Sequence, residues 1–279
     1  MLRKLIYSFA LGVLPLPVMA QDNQCGEDGP RIIQAIYPEA KPLSDGTYGL
    51  DGRTISVPGA NDTGGDPHGM LCRAWPAYPD RLLVGVPLMR DDVPAEAGFD
   101  ALGDLDLLVL KPGSLEIEAR LRLEDFIQED AIYLSGMWFD TAAYRLIGDR
   151  TAFGLRREME GSSRPNPFGI TGLWLFDVDG GTIRPVMEGL EVQNSGGEWD
   201  TNCAGEFTMA ERVLDIAPTQ SNGASDVVVR TTLTTTVNTP SGSECNSVDT
   251  TTEVEPVTLR YDGQLYPVPD DLMDMYVKN

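Results

Sequence analysis

Apolar and polar side chains alternate with a period of two residues over much of the chain beyond residue 80. In residues 115–123, leucine, isoleucine or alanine occupies every odd position, and glutamate or arginine every even one. Because successive side chains of a β-strand point to opposite faces, this period predicts strands with one buried face. Residues 104–110 form a more apolar run, and the Lys-Pro-Gly-Ser turn at 111–114 predicts a hairpin over residues 104–123.

Strand patterns recur along the chain and helix patterns are scarce. Further strands are predicted near residues 81–90, 131–139, 151–159, 170–177, 182–192, 206–216, 225–238 and 250–261, separated by turns rich in glycine, asparagine and serine. Short helices are predicted at residues 31–37 and 270–276, the second capped by Asp270. The fold class is therefore all-β: an antiparallel meander that is propeller-like, with a β-sandwich as the alternative.

The N-terminal twenty residues have the pattern of a signal peptide. Arg3 and Lys4 precede an apolar stretch too short to span a bilayer, and Val18-Met19-Ala20 fits a cleavage site. The expectation is a periplasmic or secreted protein without membrane insertion after cleavage. Residues 21–279 then form one β-rich domain, with an N-terminal segment at 25–79, a β body at 80–269 and a tail at 270–279.

The charge balance of the chain is strongly acidic. The formal net charge is −22, and removal of residues 1–20, which hold two basic and no acidic side chains, makes it −24. Such a surface repels phosphate backbones and anionic headgroups, which argues against nucleic acid and membrane surfaces as partners. It favours a cationic protein or divalent cations.

Four cysteines occur in the chain, at Cys25, Cys72, Cys203 and Cys245. Their spacing contains no C-x-x-C motif, so two disulfides are expected after export and a zinc site is not. Three connectivities are possible. Locality along the chain favours Cys25–Cys72 with Cys203–Cys245.

Signatures of catalysis are missing. His68 is the single histidine, and no nucleophile elbow, Walker A or S-x-x-K motif is present. A lone histidine in a Gly/Pro-rich loop is more often a solvated residue than a general base. No catalytic residue is therefore nominated, although 43 acidic residues leave a carboxylate-dependent hydrolase open.

An acidic turn supplies the candidate metal ligands Asp100, Asp104 and Asp106. Calcium takes six to eight hard oxygen ligands, and a loop of this composition supplies several. The segment resembles the acidic, glycine-containing segment of FG-GAP/VCBS-type propeller repeats, but the match is incomplete, because Leu102 stands where Asn or Asp is usual. Calcium is therefore a possible cofactor, and Asp is equally a favoured turn residue.

Residues 161–169, which join two predicted strands, form the candidate contact surface. Ser163, Arg164, Asn166 and Phe168 are its named binding residues, because recognition usually resides in loops on rigid β scaffolds. Trp138 and Trp199 lie next to acidic residues, as sugar-stacking platforms sometimes do, although tryptophan in β proteins more often packs in the core or at its rim.

Six stretches together are similar to a family of uncharacterised exported proteobacterial proteins; they are residues 81–87, 104–110, 143–155, 161–169, 197–205 and 259–269. The resemblance implies export and a β-rich body and supplies no catalytic residue. The leading hypothesis is thus a non-catalytic binding or interaction protein. The alternative is a carboxylate- or calcium-dependent hydrolase.

Two segments near the two ends of the chain are similar in sequence. Residues 47–58 and 258–269 share Thr, Asp-Gly and Val-Pro at one constant offset. Since Asp-Gly between alternating segments is a strong signal for a type I′ turn, both segments are predicted to be hairpins.

Overall fold

The protein folds as two antiparallel β-sheets of seven strands each, in a computed structural model that describes residues 25–58, 66–94 and 98–277. The predicted signal peptide lies outside the described residues. The first sheet has the order β1-β2-β3-β5-β6-β7, with β4 also paired to β5. Its strands are β1 (Lys41–Pro42), β2 (Tyr48–Leu50), β3 (Arg53–Ile55), β4 (Leu71–Ala74), β5 (Leu82–Arg90), β6 (Ala101–Leu110) and β7 (Ile117–Glu129).

The second sheet is a meander in which every strand pairs with its neighbour in sequence. All eight further strands predicted from alternation are present: one is β5 of the first sheet, and the other seven form the second sheet. The strands at the end of the chain are longer than predicted. The strands are β8 (Ile132–Tyr144), β9 (Ala152–Gly161), β10 (Phe168–Asp179), β11 (Thr182–Trp199), β12 (Gly205–Ser221), β13 (Ala224–Ser241) and β14 (Glu244–Leu259). The hairpin predicted at residues 104–123 is formed by β6 and β7.

One apolar core contains side chains from both sheets. Leu105 and Leu107 of β6 share it with Phe139 of β8 and Phe153 of β9, and Trp75 contacts the Phe153 ring edge-on at 5.4 Å. Two seven-stranded sheets that share a core do not divide into the four-stranded blades of a propeller. Alternation with a period of two indicates that one face of a strand is buried. It does not distinguish a propeller blade from a sheet that packs against another sheet, because both bury one face.

The N-terminal helix prediction is confirmed as α1 (Gly29–Ile36), with Pro30 in its first turn. Its buried isoleucines, Ile32, Ile33 and Ile36, pack against the first sheet in a second core. The predicted Cys25–Cys72 disulfide closes the same core and ties the helix entry to β4.

The C-terminal helix prediction is wrong. Residues Asp270–Leu272 form a single 3-10 turn without a side-chain cap from Asp270. The reason is packing, because Tyr266, Val268 and Leu272 are buried against the second sheet in a third core and leave no amphipathic helical face. The backbone of Tyr266 bonds to the carbonyl of Val186, and that of Asp274 to the carbonyl of Gly189.

The two Asp-Gly segments differ in structure. Asp51 and Gly52 have φ values of 47° and 71° and join β2 to β3 in the predicted hairpin. The hairpin predicted around Asp262 is wrong, because its carboxylate accepts the backbone N–H groups of Gln264 and Leu265 and turns the chain into the third core.

Candidate binding groove

An open groove with a volume of about 570 Å³ lies where the ends of β11, β12 and β13 meet the loop between β9 and β10. This volume is within the range of small-molecule sites. The lining combines three aromatic rings with amides, hydroxyls, one guanidinium and the second disulfide, and it contains no acidic side chain. The lining residues are Tyr133, Gly161, Ser162, Ser163, Arg164, Pro167, Trp199, Asn202, Cys203, Phe207, Asn238 and Cys245.

Phe207 on β12 lies against two glycines that leave room for its ring. A Cβ atom at Gly197 would be 2.6 Å from the ring Cδ1, and one at Gly205 would be 3.0 Å from Cε2. Gly205 also stands directly opposite Trp199 in the ladder between β11 and β12. The glycines therefore let an aromatic side chain lie against the sheet beside Trp199, where a larger residue would push it away.

The loop from Trp199 to Gly205 is fixed by one carboxylate and by the second disulfide. Asp200 accepts the backbone N–H groups of Asn202 at 2.9 Å and Cys203 at 2.7 Å. These backbone hydrogen bonds lower the pKa of Asp200 below its usual value, and the hydrogen bond from Asn202 has the largest effect. Cys203 is bonded to Cys245 at the start of β14, as predicted, so the groove wall is covalently joined to the last hairpin.

The predicted contact loop does form one side of this groove. Ser163 and Arg164 line it, and Ser163 Oγ accepts the backbone N–H of Asn166 at 3.2 Å. The backbone N–H of Trp199 donates to the carbonyl of Pro165 at 2.7 Å, which holds the loop against β11. Phe168 is the first residue of β10 and is partly buried against the main core, and its role in binding stays a prediction.

An amide oxygen in the groove wall has no partner among the described residues. Asn238 Oδ1, on β13, is buried and accepts no hydrogen bond. A buried polar atom without a partner costs free energy, which a ligand hydroxyl or N–H group would recover.

Two carboxylates on β9 lie near the groove. Tyr133 lines the groove and its hydroxyl donates to Glu160 Oε2 at 3.3 Å. Glu158 lies two residues earlier on the same face of β9, and burial, followed by the charge of Glu160, raises its pKa.

Two of the three predicted calcium ligands, Asp104 and Asp106, accept hydrogen bonds from arginines. Asp106 is fully buried and accepts Nε of Arg122 at 2.8 Å and the hydroxyl of Tyr37 at 2.5 Å. Asp104 accepts Nη2 of Arg53 at 2.9 Å, whereas Asp100 is exposed. In the described parts of the chain, no group of three or more histidine, cysteine or acidic side chains could hold a metal ion. Calcium binding stays a prediction without a site.

His68 lies between carboxylates and is partly buried. Its Nε2 is 2.8 Å from Glu129 Oε1, and its Nδ1 is 3.8 Å from Asp66 Oδ1. Glu129 also accepts the backbone N–H of Leu134 at 2.9 Å. The hydrogen bond to Glu129, the largest effect, raises the pKa of His68. This histidine holds its loop to the end of β7 and is not merely solvated.

Comparison of the chain with protein-family models, curated proteins and solved structures finds no match. The two disulfides are consistent with an extracytoplasmic protein. No described helix combines the length and hydropathy of a membrane span.

Proposed function

We propose that this protein is a non-catalytic binding protein of the periplasm or the extracellular space, and that its groove binds a neutral oligosaccharide. The observation that carries the proposal is the lining of the groove: Tyr133, Trp199 and Phe207 among uncharged polar groups, without an acidic side chain. Aromatic rings offer flat apolar surfaces, and the amides and hydroxyls beside them offer directed hydrogen bonds.

The polar groups of the groove match the chemistry of sugar hydroxyls. Asn238 Oδ1 needs a donor, and Arg164 and Asn202 supply donors of their own. A sugar hydroxyl both donates and accepts, so one ring stacked on Trp199 could satisfy both kinds of group. The disulfide and the Asp200 turn hold the wall in place before binding, which lowers the entropic cost of binding.

Calorimetric titration with cellotriose, maltotriose and triacetylchitotriose tests this function. At least one trisaccharide should bind the wild-type protein, and Trp199→Ala should weaken that binding about tenfold or more, since buried aromatic contacts dominate such sites. Trp138→Ala is the matched control, because Trp138 lies on β8 outside the groove lining. Absence of binding by all three sugars, or equal effects of the two variants, would contradict the proposal.

A second candidate function, a carboxylate-dependent glycoside hydrolase, rests on Glu158 and Glu160. A general acid with a raised pKa beside an ionised carboxylate is the arrangement such enzymes use. Neither carboxylate lines the groove, which is why binding without hydrolysis is the preferred proposal. Release of reducing sugar by the wild type but not by Glu158→Gln would favour the hydrolase.

A further inference from the structure

The outer edge of the second sheet is a long and regular β-strand. Residues 244–254 of β14 pair with β13 without a bulge, and no described strand pairs with their other side. Every residue from 244 to 256 is exposed, so neither face of this stretch is covered. Alternate backbone N–H and C=O groups of such a strand point outward without a partner in the sheet.

Backbone features that block the addition of another strand lie at the base of β14. Pro256 and a bulge opposite Val229 and Thr231 interrupt the ladder there. Farther out, Val248 and Val254 are 62% and 45% exposed among threonines, a composition that favours strand pairing. An exposed edge of this kind is a template on which an extended peptide adds as a strand.

Charge selects the kind of strand that fits. The strand carries Glu244, Asp249, Glu253 and Glu255 and contains no lysine or arginine. Antiparallel pairing of two copies centred on Thr251 would set Asp249 against Glu253 twice, and like charges directly opposite are destabilising. In this register a second copy of this chain is therefore disfavoured, whereas a basic strand is favoured.

We propose that β14 is the docking site for an extended, cationic segment of another protein, which adds to the second sheet as an eighth strand. Asp249 and Glu253 lie on one face, four residues apart, so the segment presents two lysines or arginines at the same separation. On its other face, at the alternate positions, it presents β-branched residues to Val248, Thr250, Thr252 and Val254. This site is separate from the groove and does not depend on sugar binding.

The probe is the nonapeptide Thr-Val-Lys-Val-Thr-Val-Lys-Val-Thr, and its control has glutamate for both lysines. Antiparallel addition centred on Thr251 places the lysines opposite Asp249 and Glu253. The lysine peptide should bind the full-length protein at least tenfold more tightly than the control. The double variant Asp249→Lys/Glu253→Lys should reverse that preference, because it keeps the backbone edge and changes only the charge.

Hydrogen exchange distinguishes strand addition from loose ionic contact. The lysine peptide should slow exchange of alternate amides within residues 246–254. Successive backbone N–H groups of a strand point to opposite sides, so only one of the two substitutions Thr250→Pro and Thr251→Pro removes an outward N–H. That variant should keep the melting temperature of the wild type and no longer bind the peptide.

Lack of lysine-peptide binding, an unchanged preference in the charge-reversed variant, or protection outside β14 would each overturn the proposal. Protection of β14 without peptide in a dimeric sample would also overturn it, by assigning the edge to a second copy. Each result leaves the trisaccharide titration of the groove unaffected, so the two proposals fail separately.

Discussion

The buried ion pair between Arg157 and Asp274 joins the C-terminal segment to the main core. Arg157 Nη2 donates to Asp274 Oδ2 at 3.0 Å, and the two side chains are 3% and 0% exposed. Arg157 Nη1 donates to the carbonyl of Phe126 at 2.8 Å, and its guanidinium lies over the rings of Phe126 and Trp174. Burial lowers the pKa of Arg157 and the charge of Asp274 opposes this effect.

Replacement Asp274→Ala leaves a buried guanidinium without its carboxylate. Loss of one partner of a buried pair costs about 3–5 kcal/mol. The two aromatic contacts remain, but a cation–π contact contributes only about 0.5–2 kcal/mol and is already present in the wild type. We therefore expect the free energy of unfolding to fall by about 3–4 kcal/mol at pH 7.

Urea unfolding followed by tryptophan fluorescence measures this change. In a double-mutant cycle with Arg157→Met, the combined loss should be smaller than the sum by more than about 1 kcal/mol. The matched control is the exposed pair Arg230–Asp215, which is 57% and 51% exposed and should contribute less than about 1 kcal/mol. A loss below about 1 kcal/mol for Asp274→Ala, or additive effects, would refute the reasoning.

Three further predictions concern His68, Glu158 and the two disulfides. Because the hydrogen bond to Glu129 raises the pKa of His68, the stabilisation from its charge is fully present below the usual value of 6.5 and is lost as the pH rises through the folded pKa. His68→Gln should therefore flatten the fall in stability with rising pH above about 6.5, and an unchanged slope would contradict this. Burial and the charge of Glu160 raise the pKa of Glu158, which favours its neutral form, so Glu158→Gln should raise the melting temperature at pH 7 and leave it unchanged at pH 3, as thermal melts at both pH values can test. Cys203→Ser/Cys245→Ser should cost up to about 4 kcal/mol and weaken trisaccharide binding, whereas Cys25→Ser/Cys72→Ser should lower stability alone; equal binding losses would contradict the groove assignment.

The sequence predicted the strands well because alternation reports burial directly. Turn residues at Gly180-Gly181 and Asn222-Gly223, all with positive φ, also fixed the hairpins between β10 and β11 and between β12 and β13. How the strands divide into sheets was not predictable from the same signal. That division depends on side chains such as Trp75 and Phe153, whose contact joins positions 78 residues apart.

The candidate site was predicted only in part. Local composition identified the loop that contains Ser163 and Arg164 as a contact surface. It also identified Trp199 as a candidate for stacking on sugars. Phe207 and Asn238 were missed, because only the register of β11, β12 and β13 brings them to the groove. The arginine partners of Asp104 and Asp106 were missed for a related reason: Arg122 lies on the neighbouring strand β7, and Arg53 lies on β3, two strands away from β6 in the sheet. The glycines at positions 197 and 205, which flank Trp199 and precede Phe207, were the one local signal of an aromatic surface.

We propose that the groove, and not another surface, holds the ligand. Nitrogen-15 and proton NMR spectra recorded during a titration with the best-binding trisaccharide test this claim directly. We expect shifts of the Trp199 indole N–H and of the side-chain amides of Asn202 and Asn238, with the indole signals of Trp75 and Trp138 unchanged. Shifts confined to Trp138, or a spectrum without change at saturating sugar, would contradict it.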